Sequence, residues 1–164
     1  MPHVTEAPLV AIEDLPKLLA PEARLLGLDL GTQTIGMALS DVSRSVATPY
    51  QTLRRSKFSL DAKAIAAAIA ENGVGALVIG LPLNLDGSEG PRAQSTRAFA
   101  RNLAPHIDVP ILLWDERLST QAVERHLIGA GASRKRRAEV IDRMAAAYIL
   151  QGTLDRLRRL GTAP

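Results

Sequence analysis

At 164 residues with a hydrophobic fraction of 46%, the chain is long enough for one domain burying roughly 70% of its unfolded surface, which excludes wholesale disorder. It has no cysteine, which excludes disulfide frameworks and thiolate metal sites and is in keeping with a reducing cytoplasm. A net charge of +3, a pI near 9.7 and clustered arginines favour a polyanionic partner, because neutralised phosphates release counterions.

No apolar run reaches the roughly 18 residues of a membrane span. The amino-terminal segment, broken by Pro2, Pro8 and Pro16, lacks the apolar core of a signal peptide. Aromatic content is only 3%. Platforms for single strands stack bases on several aromatics, so recognition is expected through backbone and shape.

In chain order, residues 1–23 read as a partly flexible extension with a short helix over 12–19. Residues 24–30 form a first strand, Gly31-Thr32-Gln33 a turn, and residues 34–40 an antiparallel second strand with Ile35, Met37 and Leu39 alternating. Residues 46–53 form a third, which Pro49 confines to a sheet edge. A helix follows in which Leu60, Ala64, Ile65, Ala68 and Ile69 share a face; Ser59 can cap it and Asn72-Gly73 can end it. The apolar run 76–81 is a strand buried on both sides. A glycine-rich loop, 82–90, leads into a helix with Thr96, Phe99, Ala100 and Leu103 on one face. Residues 110–114 make a fifth strand. A helix capped by Ser119 and stopping near Gly129, then a long one from Ser133 to about Leu160, complete the chain.

Strands separated by helices imply parallel crossovers, so the first, fourth and fifth strands run together in a mixed sheet over residues 24–160. Their carboxyl ends share one pole, where open α/β folds place their sites. Asp29 and Asp115-Glu116 end such strands. Asp41, after the antiparallel second strand, falls at the opposite pole.

Asp29, Glu116 and Asp142 stand in apolar segments where a charge is costly unless paired or metal-bound. Carboxylates gathered from separate elements suit a hard divalent cation such as Mg²⁺. Two such ions can activate water and stabilise a leaving oxygen in phosphodiester cleavage. Asp29 would bridge them, Glu116 would reach from the fifth strand, and Asp142 would close the site from the last helix. Ala138, Ala145 and Ala146 around Asp142 would let that helix sit close to the sheet. Singly, each acid has a bland reading, as a turn cap or as a partner of Arg143 or Arg117; at one pole together they favour catalysis. Asp115, on the opposite strand face from Glu116, is expected to orient Arg117. Arg134, Lys135, Arg136 and Arg137 would ordinarily be a solvated face. In a first helical turn they oppose the macrodipole at about 0.3–1 kcal/mol each, a cost that bound phosphate offsets.

The segments LLGLDLGTQTIGMALSD, LVIGLPLNLDGS, WDERLST and RKRRAEVIDRMAAAYILQ resemble the YqgF/RuvX family, described as Holliday junction resolvases or pre-16S rRNA nucleases. The resemblance covers residues 24–159 and leaves the extension unmatched. It implies an RNase H-like α/β fold, a mixed five-stranded sheet flanked by helices. It also implies catalytic, metal-holding acids at Asp29, Glu116 and Asp142, a Mg²⁺ or Mn²⁺ cofactor, and a cytoplasmic role in maturing the 5′ end of 16S ribosomal RNA. Thr32, Asn84, Arg117 and the 134–137 cluster are the candidate nucleic-acid contacts. Ribosomal RNA precursor or branched DNA, and monomer or homodimer, stay open. Two other classes compete. Asp29-Leu30-Gly31-Thr32 also resembles the phosphate loop of actin-like ATPases, but too little chain follows for the second domain these need. A non-catalytic nucleic-acid-binding module need not retain all three acids.

Overall fold

The computed structural model describes residues 7–117 and 134–162, with side chains of the last helix described from 143 to 161. The helix expected over 119–129 lies outside the described residues. The elements are β1 (Leu9–Val10), a 3-10 turn (Ile12–Asp14), α1 (Leu15–Leu18), β2 (Arg24–Leu30), β3 (Thr34–Ser40), β4 (Ala47–Arg54), α2 (Phe58–Glu71), β5 (Val74–Leu81), α3 (Pro91–Leu103), a 3-10 turn (Ala104–His106), β6 (Ile111–Asp115) and α4 (Arg134–Thr162).

The sheet order is β1-β6-β5-β2-β3-β4. β2, β5 and β6 are parallel, and β3 and β4 are antiparallel additions beyond β2. The expected arrangement of five strands is therefore present, with one correction. A sixth strand, β1, pairs in parallel with β6 through Leu9↔Ile111 and Val10↔Leu112. Backbone bonds from Ala7 N–H to Ala104 O (3.0 Å) and Ile111 N–H to Pro8 O (2.9 Å) pin it. Two residues are too few to show a period of two, so only the long-range pairing reveals the strand.

Local chemistry explains the boundaries. β4 takes the edge position that Pro49 demands, and its register with β3 slips between Met37 and Ala38, beside that proline, where a ladder donor is missing. Gly73 adopts φ +62° just after α2, the left-handed stop that glycine provides. Ser59 does not cap α2. Lys57 is the N-cap residue, without a side-chain bond, and buried Asp61 instead accepts from Ser56 N–H at 3.1 Å.

Alternation along the strands makes two cores. Leu26, Leu28, Ile35, Met37, Leu77 and Ile79 face α2 and α3, meeting Ile65, Phe99 and Leu103. Leu25, Ala38, Ala76, Val78 and Leu112 face α4, meeting Ala146, Ile149, Leu150 and Leu154. Helices thus cover both faces of the sheet, and α4, with Leu15 of α1 beside it, covers the face that carries Leu25. No helix among the described residues is long and apolar enough to cross a membrane.

Candidate active site

Strand parity decides which acids meet. Asp29 has the parity of Leu25 and Gly27 on β2, and Glu116 that of Leu112 and Trp114 on β6, so both belong to the α4 face. Glu116 extends the β6 ladder by one residue, its N–H donating to Leu81 O at 3.3 Å. Between the two acids runs β5, whose Gly80 pairs with Trp114. A Cβ at position 80 would lie 2.6 Å from Glu116 Oε2 and 2.5 Å from Ile149 Cδ1. Glycine is required here by close approach, and it leaves the Glu116 carboxyl room to lie over the sheet toward β2.

There the Glu116 carboxyl is hydrogen-bonded to Asp29. Burial is the largest influence on Glu116 and pushes its pKa up; the charge of Asp115 adds to that, while Arg92 and the Asp29 bond pull it down. Two carboxylates can share a hydrogen bond only if one holds a proton. A hard cation taking the place of that proton would find oxygen donors already converged, and the residues therefore fit a divalent metal. Among the described residues no group of three or more His, Asp or Glu forms a metal cluster.

The third acid is placed by its helix. α4 approaches β2 so closely that a Cβ at Gly27 would lie 2.9 Å from Leu150 Cβ and 3.1 Å from Ala146 O, the tight seat that the alanine-rich stretch predicts. Further along, Gln151 bonds Ala47 N–H (2.8 Å) and Ser45 O (3.0 Å), and Arg158 bonds Ser45 O (3.2 Å). Those partners lie at the pole where β2 begins, so α4 runs opposite to β2 and its amino end extends toward the Asp29 pole. Position 142 is one turn before Ala146, in the i, i+3, i+4, i+7 series of Ala145, Ala146 and Ile149, all buried. The side chain of Asp142 lies outside the described residues, as do those of Arg134, Lys135, Arg136 and Arg137. The backbone of that basic cluster lies at the start of α4, roughly 15 Å along the helix from Ala146.

The remaining candidates sort around two cavities. Asn84, Arg117, Arg92 and Glu116 line one of about 330 Å³. Thr32 lines another of about 80 Å³ with Arg55 and Arg92. As strand parity predicts, Asp115 turns away from Glu116 and grips Arg117, whose Nε donates to Oδ2 at 2.8 Å and Nη2 at 2.5 Å. That bond is the main cause holding the Asp115 pKa below its usual range. Arg117 also reaches toward the glycine-rich loop, with Nη1 3.5 Å from Leu85 O. The loop is a tight turn: Gly87 N–H donates to Asn84 O at 2.8 Å, and Gly87 has φ +88°.

Residues 23–156 match the RuvX family, described as Holliday junction resolvase. The chain belongs to the RuvX family. Relatives named "Putative pre-16S rRNA nuclease" include one from Paramagnetospirillum magneticum, 61% identical over 148 residues, covering 90% of this chain and 96% of that one. Another, from Roseobacter denitrificans, is 62% identical over 152 residues, covering 90% and 93%. Among solved structures, Thermus thermophilus RuvC in complex with a Holliday junction superposes with a TM-score of 0.54 at 16% identity, covering 86% of this chain and 98% of that chain. That likeness establishes the RNase H-like fold.

Of two further residues in this RuvX-family chain, Arg92 reads from sequence as a less specific cation and Arg55 escapes sequence reasoning. Arg92, in the first turn of α3, opposes the macrodipole just as the 134–137 cluster does, a usable signal. Arg55 had none. It follows an edge strand, and only the fold brings its guanidinium to Gly31 O, at 2.7 Å.

Proposed function

We propose that this chain is a divalent-metal-dependent nuclease that hydrolyses phosphodiester bonds, acting in the cytoplasm on the 5′ end of precursor 16S ribosomal RNA. The observation that carries this reading is the contact between Asp29 and Glu116, two acids from separate parallel strands at one pole of the sheet. The name borne by relatives about 60% identical supports the RNA substrate. Asp29, Glu116 and Asp142 would hold Mg²⁺ or Mn²⁺, and residues 24–160 would form the nuclease domain.

Cations bound there would activate water and neutralise charge developing on the phosphate. Burial of Glu116 strengthens every charge interaction in the site by lowering the local dielectric. Arg92, beside Glu116, supplies fixed positive charge where a phosphate would enter. Asn84 and Arg117 would contact the substrate backbone along the larger cavity, Thr32 on the other side of Arg92, and residues 134–137 further out. Such contacts fix register without reading sequence.

The family description favours one second reading, resolution of branched DNA. Symmetric cutting of a two-fold junction would call for a homodimer, whereas trimming RNA needs only a monomer. Cleavage of precursor 16S RNA and of a four-way DNA junction, each in Mg²⁺, Mn²⁺ or chelator, tests the pair. Metal-dependent RNA cleavage supports the proposal; paired cuts in the junction alone would move it to the second reading. No cleavage of either would overturn it.

A further inference from the structure

We propose that the small cavity at the end of β2, lined by Thr32, Arg55, Arg92, Ser95 and Phe99, holds the phosphodiester flanking the scissile one, a subsite that rests on the nuclease reading of the acid pair. The cavity holds about 80 Å³, far below the roughly 300 Å³ where pockets for drug-sized ligands begin. It has room for a compact anionic group and not for a base.

The Arg55 guanidinium is built in. Arg55 is fixed from three sides: its N–H donates to Gln33 O at 2.8 Å, its Nη1 to Gly31 O at 2.7 Å, and its Cζ stands 5.5 Å from the Phe99 ring centre. A guanidinium carries five donors in a planar fork, and this one spends a single nitrogen on Gly31. Holding the side chain in place beforehand removes much of the entropy cost of binding. Arg92 lines this cavity and also the larger one that contains Glu116, so it links the acid pair to the subsite. Hydroxyls of Thr32 and Ser95 add neutral donors. Two carboxylates repel a passing nucleic-acid strand. Two arginines, one of them shared with the cavity that contains Glu116, would hold a neighbouring phosphate and offset that repulsion.

The competing role for Arg55 is structural, bracing the Gly31 turn. A salt series of fluorescence anisotropy with a labelled single-stranded RNA, in chelator, separates the two. Each single-strand phosphate contact contributes about 0.7 to the slope of log affinity on log salt. Arg55→Ala and Arg92→Ala should each weaken binding roughly tenfold, the worth of a charged hydrogen bond. Because they hold one phosphate, the double variant should lose about 0.7 of slope. A loss near 1.4, the sum for two unrelated surface contacts, would overturn the subsite, as would an unchanged slope. Ser95→Asp is the second route should Arg55→Ala fold poorly. It leaves the Arg55 bonds intact on an exposed position and should weaken binding with the same loss of slope; unaltered binding would count against the subsite. Additive slopes with RNA cleavage retained would remove the subsite alone. Absence of cleavage with coupled slopes would remove the nuclease reading and leave a phosphate site.

Discussion

Gly80→Ala puts the geometry of the acid pair to a direct test. The added Cβ would sit 2.6 Å from Glu116 Oε2 and 2.5 Å from Ile149 Cδ1, so something must move. Ile149 is fully buried and has little free space to turn into. The Glu116 carboxyl, half-exposed at the end of a flexible chain, is the group that yields. Overpacking costs about 1–3 kcal/mol, and removing glycine restrains the unfolded chain by about 0.4–1 kcal/mol in return. The net loss should be about 1–2 kcal/mol, a fall of some 2–8 °C in Tm at about 2–4 °C per kcal/mol. Activity should fall much further, roughly a hundredfold, because a displacement of about 1 Å in a catalytic group costs that much. Gly27→Ala is the counterpart. Its Cβ would meet Leu150 Cβ at 2.9 Å and Ala146 O at 3.1 Å, atoms that no rotamer change can move, so α4 itself must shift. Its stability loss should exceed that of Gly80→Ala. Single-turnover cleavage and thermal melts on both variants check this. A Gly80→Ala enzyme with full activity and an unchanged melt would refute the placement of Glu116 over that glycine.

Further outcomes follow from the charges. Because burial raises the Glu116 pKa, the folded state binds that proton more tightly than the unfolded state. Metal-free stability should therefore decline as pH rises from the ordinary value of 4.5 through the raised one, and Glu116→Gln should lessen that decline in pH-dependent melts. Asp41, bonded by Ser43 and the Val46 and Ser45 amides, has its pKa lowered to about 2. Carboxyl NMR should show it charged well below the usual range and losing its stabilising bonds only as pH falls toward that value. Replacing Arg134, Lys135, Arg136 and Arg137 by alanine should weaken RNA binding and flatten its salt slope with helicity unchanged or higher; an unaltered slope would make the cluster an ordinary solvated face.

Where local pattern and long-range pairing agree, the sequence is readable. The apolar run ending at Leu81, the edge position imposed by Pro49, and the opposite faces of Asp115 and Glu116 all follow from a period of two and from donor chemistry. β1 was hidden because Leu9 and Val10 gain strand geometry only from Ile111 and Leu112, a hundred residues on. The pairing of Asp29 with Glu116 was legible as a shared pole, since both end parallel strands. Their actual contact depends on Gly80, a glycine with no local turn to mark its purpose. Arg55 was invisible for the same reason: its partners are Gly31 and Phe99, set around it by different elements.

The metal site stands or falls on Asp29→Asn, measured by thermal melts without metal and with Mg²⁺ or Mn²⁺. The amide keeps the shape of Asp29 but relieves like-charge repulsion with Glu116, so the metal-free variant should melt no lower than wild type. Added metal should stabilise wild type more than the variant, because a ligand that binds only the native state raises its stability. Cleavage should fall roughly a thousandfold or more. A variant that unfolds in the absence of metal, with the same metal response as wild type, would make Asp29 a structural acid and contradict a metal centre at this pole.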